Sequence, residues 1–120
     1  MTPEKKFENA IIAALKEKKI YARHFNTIGQ DGWPDILAIK KNKVLLIECK
    51  YNTMALRSDQ KAFHSYLIRE YGITNIVQVC DMEDHYIMRL HDSLGSCVGG
   101  YSFDTLPELI VNLEARIENP

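Results

Sequence analysis

Three charged residues stand at the ends of two strand-like runs that are otherwise apolar. Asp35 precedes the apolar residues 36–39, and Glu48 and Lys50 close the strand that begins with the apolar residues 44–47. Charged groups in such surroundings cost free energy unless a partner compensates them. Two carboxylates held close together repel each other, and Mg²⁺, which prefers oxygen ligands and retained waters, removes that repulsion. Asp35 and Glu48 are therefore predicted metal ligands.

The spacing of these residues predicts how they face one another. Glu48 and Lys50 are two apart, so both side chains leave the same face of a strand, and a hairpin turn at 40–43 can bring Asp35 across from Glu48. The backbone carbonyl of Cys49 is a further candidate metal ligand, while its side chain should point into the core. Lys50 would then lie near a metal-bound water and a scissile phosphate. There it could orient the water, help to deprotonate it, or stabilise charge in the transition state.

An acid two residues before a lysine is a weak signal by itself. Of the four such pairs in the chain, three fall on predicted helices, where residues i and i+2 do not face each other. These three are Glu4 with Lys6, Glu17 with Lys19, and Asp59 with Lys61. Only the pair of Glu48 and Lys50 ends an apolar strand. The alternative to a metal site is a structural ion pair that joins these two residues to Asp35 at a sheet edge.

Length and composition predict one ordinary domain that spans residues 1–120. The hydrophobic fraction is 46% and the charged fraction 26%, and the net charge of −1 means that any binding to nucleic acid must come from a local basic patch. The three cysteines are too few and too scattered for a disulfide framework, which fits a reducing compartment. With no apparent signal peptide and no apolar segment of about 20 residues, a cytoplasmic location without membrane association is expected.

The periodicity of apolar residues predicts the order α-β-β-β-α-β-β-α, an α/β fold with a mixed β-sheet flanked by helices. A helix should begin at Thr2-Pro3, a second at a Ser58 cap, and the last at Thr105. Strands are predicted over 20–26, 36–39, 44–50, 75–80 and 85–90, with loops at 27–32 and 91–100. The motif-bearing core covers about 2–80, followed by a C-terminal hairpin and helix at 81–120.

Two helices aim polar side chains toward the sheet. Glu4 falls between Ile11 and Leu15 on the helical wheel, and Glu8 lies at the edge of that apolar stripe. Gln60 is three residues before Phe63 and shares the core-facing side of the second helix. Glu4 and Gln60 are therefore predicted to complete the surroundings of the charged residues. The alternative for Glu4 is that it only complements the helix dipole.

Basic residues near these elements are candidates for contacts with DNA phosphates, although a solvated surface is the simpler interpretation for each. They are Lys40, Lys41 and Lys43 in the hairpin turn, Arg57, Lys61 and Arg69 on the second helix, and Arg23 and His24 on the first strand. Trp33 is either part of the core or a platform against DNA. A zinc site from Cys80, His85, His91 and Cys97 is disfavoured, because the spacing matches no familiar ligand pattern.

These motifs resemble those of the PD-(D/E)XK nuclease superfamily. Pro34-Asp35 corresponds to the first half of the signature and Glu48-Cys49-Lys50 to the second. The chain is similar, more narrowly, to stand-alone VRR-NUC domains, which are akin to archaeal Holliday-junction resolvases. Supporting residues are an acid in the first helix, Gly32 two before Pro34, and Ser58-x-Gln60 at the start of the second helix. The resemblance covers about residues 2–80, and the last forty residues carry no part of it.

The resemblance implies a restriction-endonuclease-like fold and a Mg²⁺- or Mn²⁺-dependent endonuclease that hydrolyses phosphodiester bonds of DNA. Asp35 and Glu48 would bind the metal, Lys50 would be catalytic, and Gln60 and a helix-1 acid, Glu4 or Glu8, would support the site. Stand-alone members are commonly homodimers that cut structured DNA such as four-way junctions, and flaps are a further expected substrate. The alternatives are a catalytically inactive module that binds DNA structure, a partner-binding domain with a structural salt bridge, and a nuclease for RNA.

Overall fold

The protein folds into a six-stranded mixed sheet with helices on its two faces, seen in a computed structural model that describes residues 1–25, 33–72, 75–91 and 97–119. The predicted fold class is thereby confirmed. The elements are α1 (Pro3–Glu17), β1 (Tyr21–His24), β2 (Ile36–Lys40), β3 (Lys43–Tyr51), α2 (Ser58–Tyr71), β4 (Ile76–Asp81), β5 (Tyr86–His91), β6 (Cys97–Phe103) and α3 (Leu106–Glu118).

The spatial order of the strands is their order in the sequence. β3 and β4 are parallel and are joined by the crossover helix α2, whereas every other neighbouring pair is antiparallel. The predicted hairpin of β2 and β3 pairs Ile36 with Ile47 and Lys40 with Lys43. This register places Asp35 beside Glu48, in the carboxyl-terminal half of β3.

The sixth strand corrects the predicted element order, which had only five strands and a loop at 91–100. Cys97–Phe103 is instead an extended strand that pairs antiparallel with β5, and residues 92–96 lie outside the described part of the chain. The prediction failed because Gly99 and Gly100 were interpreted as loop residues, as paired glycines usually are. Both glycines lie in an extended strand here. The sheet therefore has one strand more than the periodicity indicated, and this additional strand lies at its edge.

Alternate residues of β3 face two different layers. Leu45, Ile47 and Cys49 are fully buried in the core that α1 and α3 cover, which confirms the predicted direction of the Cys49 side chain. Leu46 packs instead with Leu67 of α2. Because side chains alternate along a strand, Glu48 and Lys50 also face α2. The crossover helix is therefore the element that sets their surroundings.

The helix ends mostly follow the expected capping chemistry. The Thr2 side chain accepts a hydrogen bond from the Lys5 amide, and Gly72 ends α2 with a φ of 65°. The predicted Ser58 cap is wrong by one residue, because Arg57 occupies the N-cap position and Ser58 is the first helical residue. None of the described helices has both the length and the apolar character needed to cross a membrane.

Candidate active site

Glu48 and Lys50 lie buried at the end of β3 and are joined through one amide side chain. Glu48 is 0% exposed and Lys50 is 7% exposed. The Lys50 Nζ donates to Gln60 Oε1 at 2.8 Å, and Gln60 Nε2 donates to Glu48 Oε2 at 2.9 Å. The two charged groups are thus held in fixed positions by hydrogen bonds rather than by a direct ion pair.

Gln60 is placed by the first turn of α2. Its Oε1 also accepts a hydrogen bond from the Arg57 amide at 2.9 Å, which satisfies a donor that the helix start leaves without a partner. The side chain is 4% exposed, so the predicted core-facing direction is confirmed. Gln60 therefore has two tasks, since it closes the helix start and bridges Glu48 to Lys50.

The second carboxylate oxygen of Glu48 faces a histidine that sequence reasoning missed. His64 Nε2 lies 3.7 Å from Glu48 Oε1, and the imidazole is buried. Glu48 Oε1 has no hydrogen-bond partner within the described ranges. A signal for His64 was present, because it follows Gln60 by four residues and so shares its helical face.

Asp35 is fixed by the strands on both sides of it. Its amide donates to Ile47 O at 3.0 Å, and its carbonyl accepts from the Phe25 amide at 2.8 Å. Its carboxylate Oδ2 accepts from the Cys49 amide at 2.8 Å. The main chain of Cys49 therefore lies against Asp35, between Glu48 and Lys50, and its carbonyl stays a predicted metal ligand.

Two acids of α1 converge on Asp35. One carboxylate oxygen from each of Glu4, Glu8 and Asp35 lies within 4.8 Å of the others. The sequence favoured Glu4 over Glu8, but the structure brings both to the site, and Glu8 is the more buried of the two. Glu4 and Glu8 are one helical turn apart, so both side chains lie close to Asp35.

His24 contacts the Glu8 carboxylate rather than standing free for DNA. Its Nδ1 lies 3.3 Å from Glu8 Oε1, and its Nε2 lies 2.9 Å from Asn9 Oδ1. The Lys5 ammonium is 3.7 Å from the same Glu8 oxygen. Burial and the charge of Lys5 lower the pKa of His24. Glu8 is therefore contacted by His24 and Lys5 while its carboxylate also lies near Asp35.

The crowding of carboxyl groups shows in their acidities. Burial raises the pKa of Glu48 to about 10, and the side-chain contact with Asp35 and the charge of Asp35 add to the rise. Burial likewise raises the pKa of Glu8 to about 7, with the charge of Asp35 as the next cause. Such shifts mean that burial, and next to it the neighbouring acids, disfavours the ionised form of these carboxyl groups. The three converging acids Glu4, Glu8 and Asp35, and the Glu48 oxygen without a hydrogen-bond partner within the described ranges, fit a divalent cation with oxygen ligands.

The predicted DNA-contact residues fall into two groups. Lys40 and Lys43 bind α3 at the far end of the β2–β3 hairpin, about 16 Å from Asp35 along the strand. Lys40 Nζ is 3.0 Å from Glu114 Oε2 and also contacts Glu118. Lys41 is exposed in the turn between them. This end of the sheet is therefore separate from the acids.

Arg57 and Lys61, by contrast, are exposed at the start of α2 on either side of Gln60 in the sequence, and Arg57 pairs with Asp59 at 3.1 Å.

Trp33 packs between Phe25 and Phe63, with ring centroids 4.7 and 4.5 Å away, which favours a core role. The loop at 27–32, including Gly32, and the side chains of His91 and Cys97 lie outside the described residues.

Replacing Gln60 by Ala should cost both stability and activity. The change leaves the Lys50 ammonium and a Glu48 oxygen buried without their hydrogen bonds, so the free energy of unfolding should fall by about 1–3 kcal/mol. Loss of the bridge should also lower any cleavage rate by about 10–100-fold. Chemical denaturation and a cleavage assay measure the two effects. Asp59→Ala, on the exposed side of the same helical turn, is the control, and an equal loss there would contradict the role given to Gln60.

Comparison with solved structures identifies a similar fold. The chain resembles the structure of Archaeoglobus fulgidus Hjc, a Holliday junction resolvase from an archaeal hyperthermophile, with a TM-score of 0.53 and 18% sequence identity. The match covers 69% of this chain and 72% of that chain. No protein-family model matches the chain, and no curated protein matches it either. At this identity the likeness concerns the fold alone, and it confirms the restriction-endonuclease-like fold class.

Proposed function

We propose that the protein is a divalent-metal-dependent endonuclease that hydrolyses phosphodiester bonds in branched DNA. The observation that carries the proposal is the buried arrangement of Glu48, Gln60 and Lys50 beside Asp35. A stability role alone is a weak explanation, because apolar residues of similar volume usually serve stability as well or better. A narrower relation to VRR-NUC domains is part of the proposal and is supported by the sequence motifs.

Each residue has a task that its position supports. Asp35 and Glu48, with the Cys49 carbonyl, would hold Mg²⁺ or Mn²⁺, which supplies a nucleophilic water and polarises the phosphate when bound. The Lys50 ammonium has three N–H donors, and its contact with Gln60 uses one of them. A remaining donor can orient the attacking water or stabilise charge on the phosphate. Glu4 and Glu8 add negative charge on the side of α1 and would hold bound water or a second cation in place.

The choice of DNA rests on the fold and on the basic residues beside the site. The solved structure with a similar fold is named as a Holliday junction resolvase. Arg57 and Lys61 are exposed next to Gln60, where phosphates flanking the scissile bond would lie. Lys40 and Lys43 are held by α3, so they are weaker candidates for such contacts than the sequence indicated.

The proposal is tested by cleavage of labelled four-way junctions, flaps, linear duplexes and single-stranded RNA. We expect cleavage of branched DNA in Mg²⁺ or Mn²⁺ and none in EDTA. Asp35→Asn should lower the rate by about a thousandfold, since it removes a ligand charge from the metal. Asp59→Asn changes an exposed carboxylate and should leave the rate within about twofold.

Two outcomes would overturn the proposal in different ways. Tight binding to junctions without cleavage under any metal condition would indicate the inactive binding module. Cleavage that persists in Asp35→Asn, in a protein that circular dichroism shows to be folded, would indicate that the acids have no part in the reaction. Preference for RNA would keep the metal site but correct the substrate.

A further inference from the structure

A small cavity lies between α3 and the strands β5 and β6, on the face of the sheet that α1 and α3 cover. Its volume is about 260 Å³, which suits one small ligand rather than a folded partner. Among the described residues that line it, none is acidic. The lining includes Met88 and Leu90 of β5, Tyr101 of β6, and Asn112, Arg116 and Asn119 of α3.

The two walls of this cavity differ in their chemistry. Met88 and Tyr101 are paired residues of neighbouring strands, so their side chains leave the same face of the sheet. Met88 is part of the core on that face, whereas Tyr101 is 52% exposed. Asn112, Arg116 and Asn119 are four and three residues apart, so they lie along one face of α3. An apolar and aromatic wall therefore stands beside a polar wall that carries one positive charge.

The charge of Arg116 has no counterpart in the described part of the chain. Its Nε is buried without a hydrogen-bond partner, and no carboxylate there forms an ion pair with the side chain. Arginine usually buries its stem and keeps the guanidinium in water or against an anion. A polar atom buried without a partner in a native protein calls for an explanation, of which a bound ion is one. The arrangement indicates an anionic ligand, because the planar guanidinium binds phosphate and carboxylate groups through paired N–H donors.

The backbone that carries Arg116 is held in place by the rest of the fold. The buried Asn75 side chain donates through Nδ2 to the carbonyls of Arg116 and Val44, both at 3.1 Å, and so ties α3 to β3. The Asn112 side chain donates to the Glu108 carbonyl at 2.9 Å, which leaves its Oδ1 as an acceptor. Groups that are fixed before binding lose less conformational entropy when a ligand arrives.

We propose that this cavity binds one nucleoside monophosphate unit, either a free nucleotide or the phosphorylated end of a strand. The phosphate pairs with Arg116, and the base stacks on the exposed ring of Tyr101. The amides of Asn112 and Asn119 offer the donors and acceptors that a base edge requires. An inorganic anion would leave the aromatic wall and both amides unused. The inference does not rest on the proposed nuclease activity, because the cavity lies on the opposite face of the sheet from α2.

Titration calorimetry of the full chain in EDTA tests this site, because EDTA keeps any metal-dependent reaction out of the measurement. The probes are the 5′- and 3′-monophosphates of thymidine and deoxyadenosine, compared with the two nucleosides and with inorganic phosphate. We expect at least one nucleotide to bind once per chain, with a dissociation constant at least about tenfold below those of its nucleoside and of inorganic phosphate. A tetranucleotide with and without a terminal phosphate then distinguishes a strand end from a free nucleotide.

Two variants remove the groups that the proposal uses. Arg116→Met removes the charge but keeps the volume of the stem, so the dissociation constant of the nucleotide should rise at least about tenfold. Without ligand this variant should unfold at a temperature no lower than that of the wild type, because it removes a nitrogen buried without a partner. Tyr101→Ala removes the stacking surface and should raise the dissociation constant at least about fivefold.

Arg89→Met is the matched control for the loss of a positive charge. Arg89 lies between Met88 and Leu90 in β5, so its side chain leaves the opposite face of the sheet. Its replacement should therefore leave the dissociation constant of the nucleotide within about twofold of the wild-type value.

Several results would overturn the inference. None of the nucleotides could bind, or a nucleoside or inorganic phosphate could bind as tightly as the nucleotide. Arg116→Met could bind the nucleotide like the wild type, or Arg89→Met could weaken binding as much, which would indicate only a general attraction between charges. If Arg116→Met fails to fold, unchanged binding in Tyr101→Ala overturns the inference instead. The cleavage assay decides separately whether the protein cuts DNA.

Discussion

Replacing Glu48 by Gln should abolish metal-dependent cleavage while making the metal-free protein more stable. The two effects have one cause, because the carboxyl group that would bind a cation is held in the metal-free fold where burial disfavours its ionised form. Glu48 is fully buried beside Asp35, and Glu48 Oε1 has no hydrogen-bond partner in the described ranges. Glutamine has the same shape, and its amide oxygen can still accept the hydrogen bond from Gln60.

The loss of activity follows from the metal. A neutral amide is a weak ligand for a hard cation, and metal binding supplies several kcal/mol of transition-state stabilisation. The cleavage rate should therefore fall by about a thousandfold or more. The concentration of Mn²⁺ needed for half-maximal binding should also rise, which calorimetry measures.

The gain in stability follows from the raised pKa of Glu48. In the metal-free fold this pKa is about 10, whereas the unfolded chain has the ordinary value near 4.5. The unfolded state therefore releases the proton first as pH rises, and Glu48 costs stability progressively from pH 4.5 upward. At pH 7 the cost is up to about 3 kcal/mol, and Gln removes it. The difference between wild type and variant should vanish below pH 4.5.

Thermal unfolding in EDTA at several pH values measures this effect. We expect a higher melting temperature for Glu48→Gln at pH 7, and a rise on adding Mn²⁺ only for the wild type. Glu17→Gln is the control, because Glu17 is an exposed acid of α1 and its change should alter neither quantity. A variant that is less stable than the wild type in EDTA, or that still binds Mn²⁺ equally well, would contradict the assignment of Glu48.

The parts of the site that depend on local periodicity were predictable from the sequence. Strand alternation placed Glu48 and Lys50 on one face, and helical spacing turned Gln60 toward the same layer. The same alternation predicted that the Cys49 side chain leaves the opposite face of β3, toward the core. These relations involve residues within one element, where backbone geometry alone decides the direction of a side chain.

The parts that depend on how elements pack against each other were not predictable. The choice between Glu4 and Glu8 is decided by the roll of α1 against the sheet, and the wheel positions of the two acids, one within the apolar stripe and one at its edge, do not determine that roll. Lys40 meets Glu114 across 74 residues of sequence, which no local pattern reports. β6 was missed because paired glycines are typical of loops, whereas Gly99 and Gly100 lie in an extended strand here.

Replacing Lys50 by Met should remove most of the activity while leaving metal binding intact. Methionine fills nearly the same volume as the lysine stem, and Gln60 Oε1 keeps its hydrogen bond from the Arg57 amide, so no acceptor is left without a donor. The cation site loses a nearby positive charge, so Mn²⁺ should bind at least as tightly as in the wild type. A group that orients water or stabilises charge in the transition state contributes about 100–10,000-fold, and the rate should fall by that factor.

Lys50→Arg separates the two roles that an ammonium can have at this position. Arginine keeps the charge, but it is larger, cannot lose its proton, and presents its donors in a different geometry. If Lys50 only neutralises the acids, the arginine variant should have nearly full activity. We expect instead that its cleavage rate remains at least about tenfold below that of the wild type, because the buried contact with Gln60 fits one compact ammonium group. Single-turnover cleavage with saturating Mn²⁺ measures the chemical step directly. Full activity in Lys50→Met would show that the buried lysine is structural.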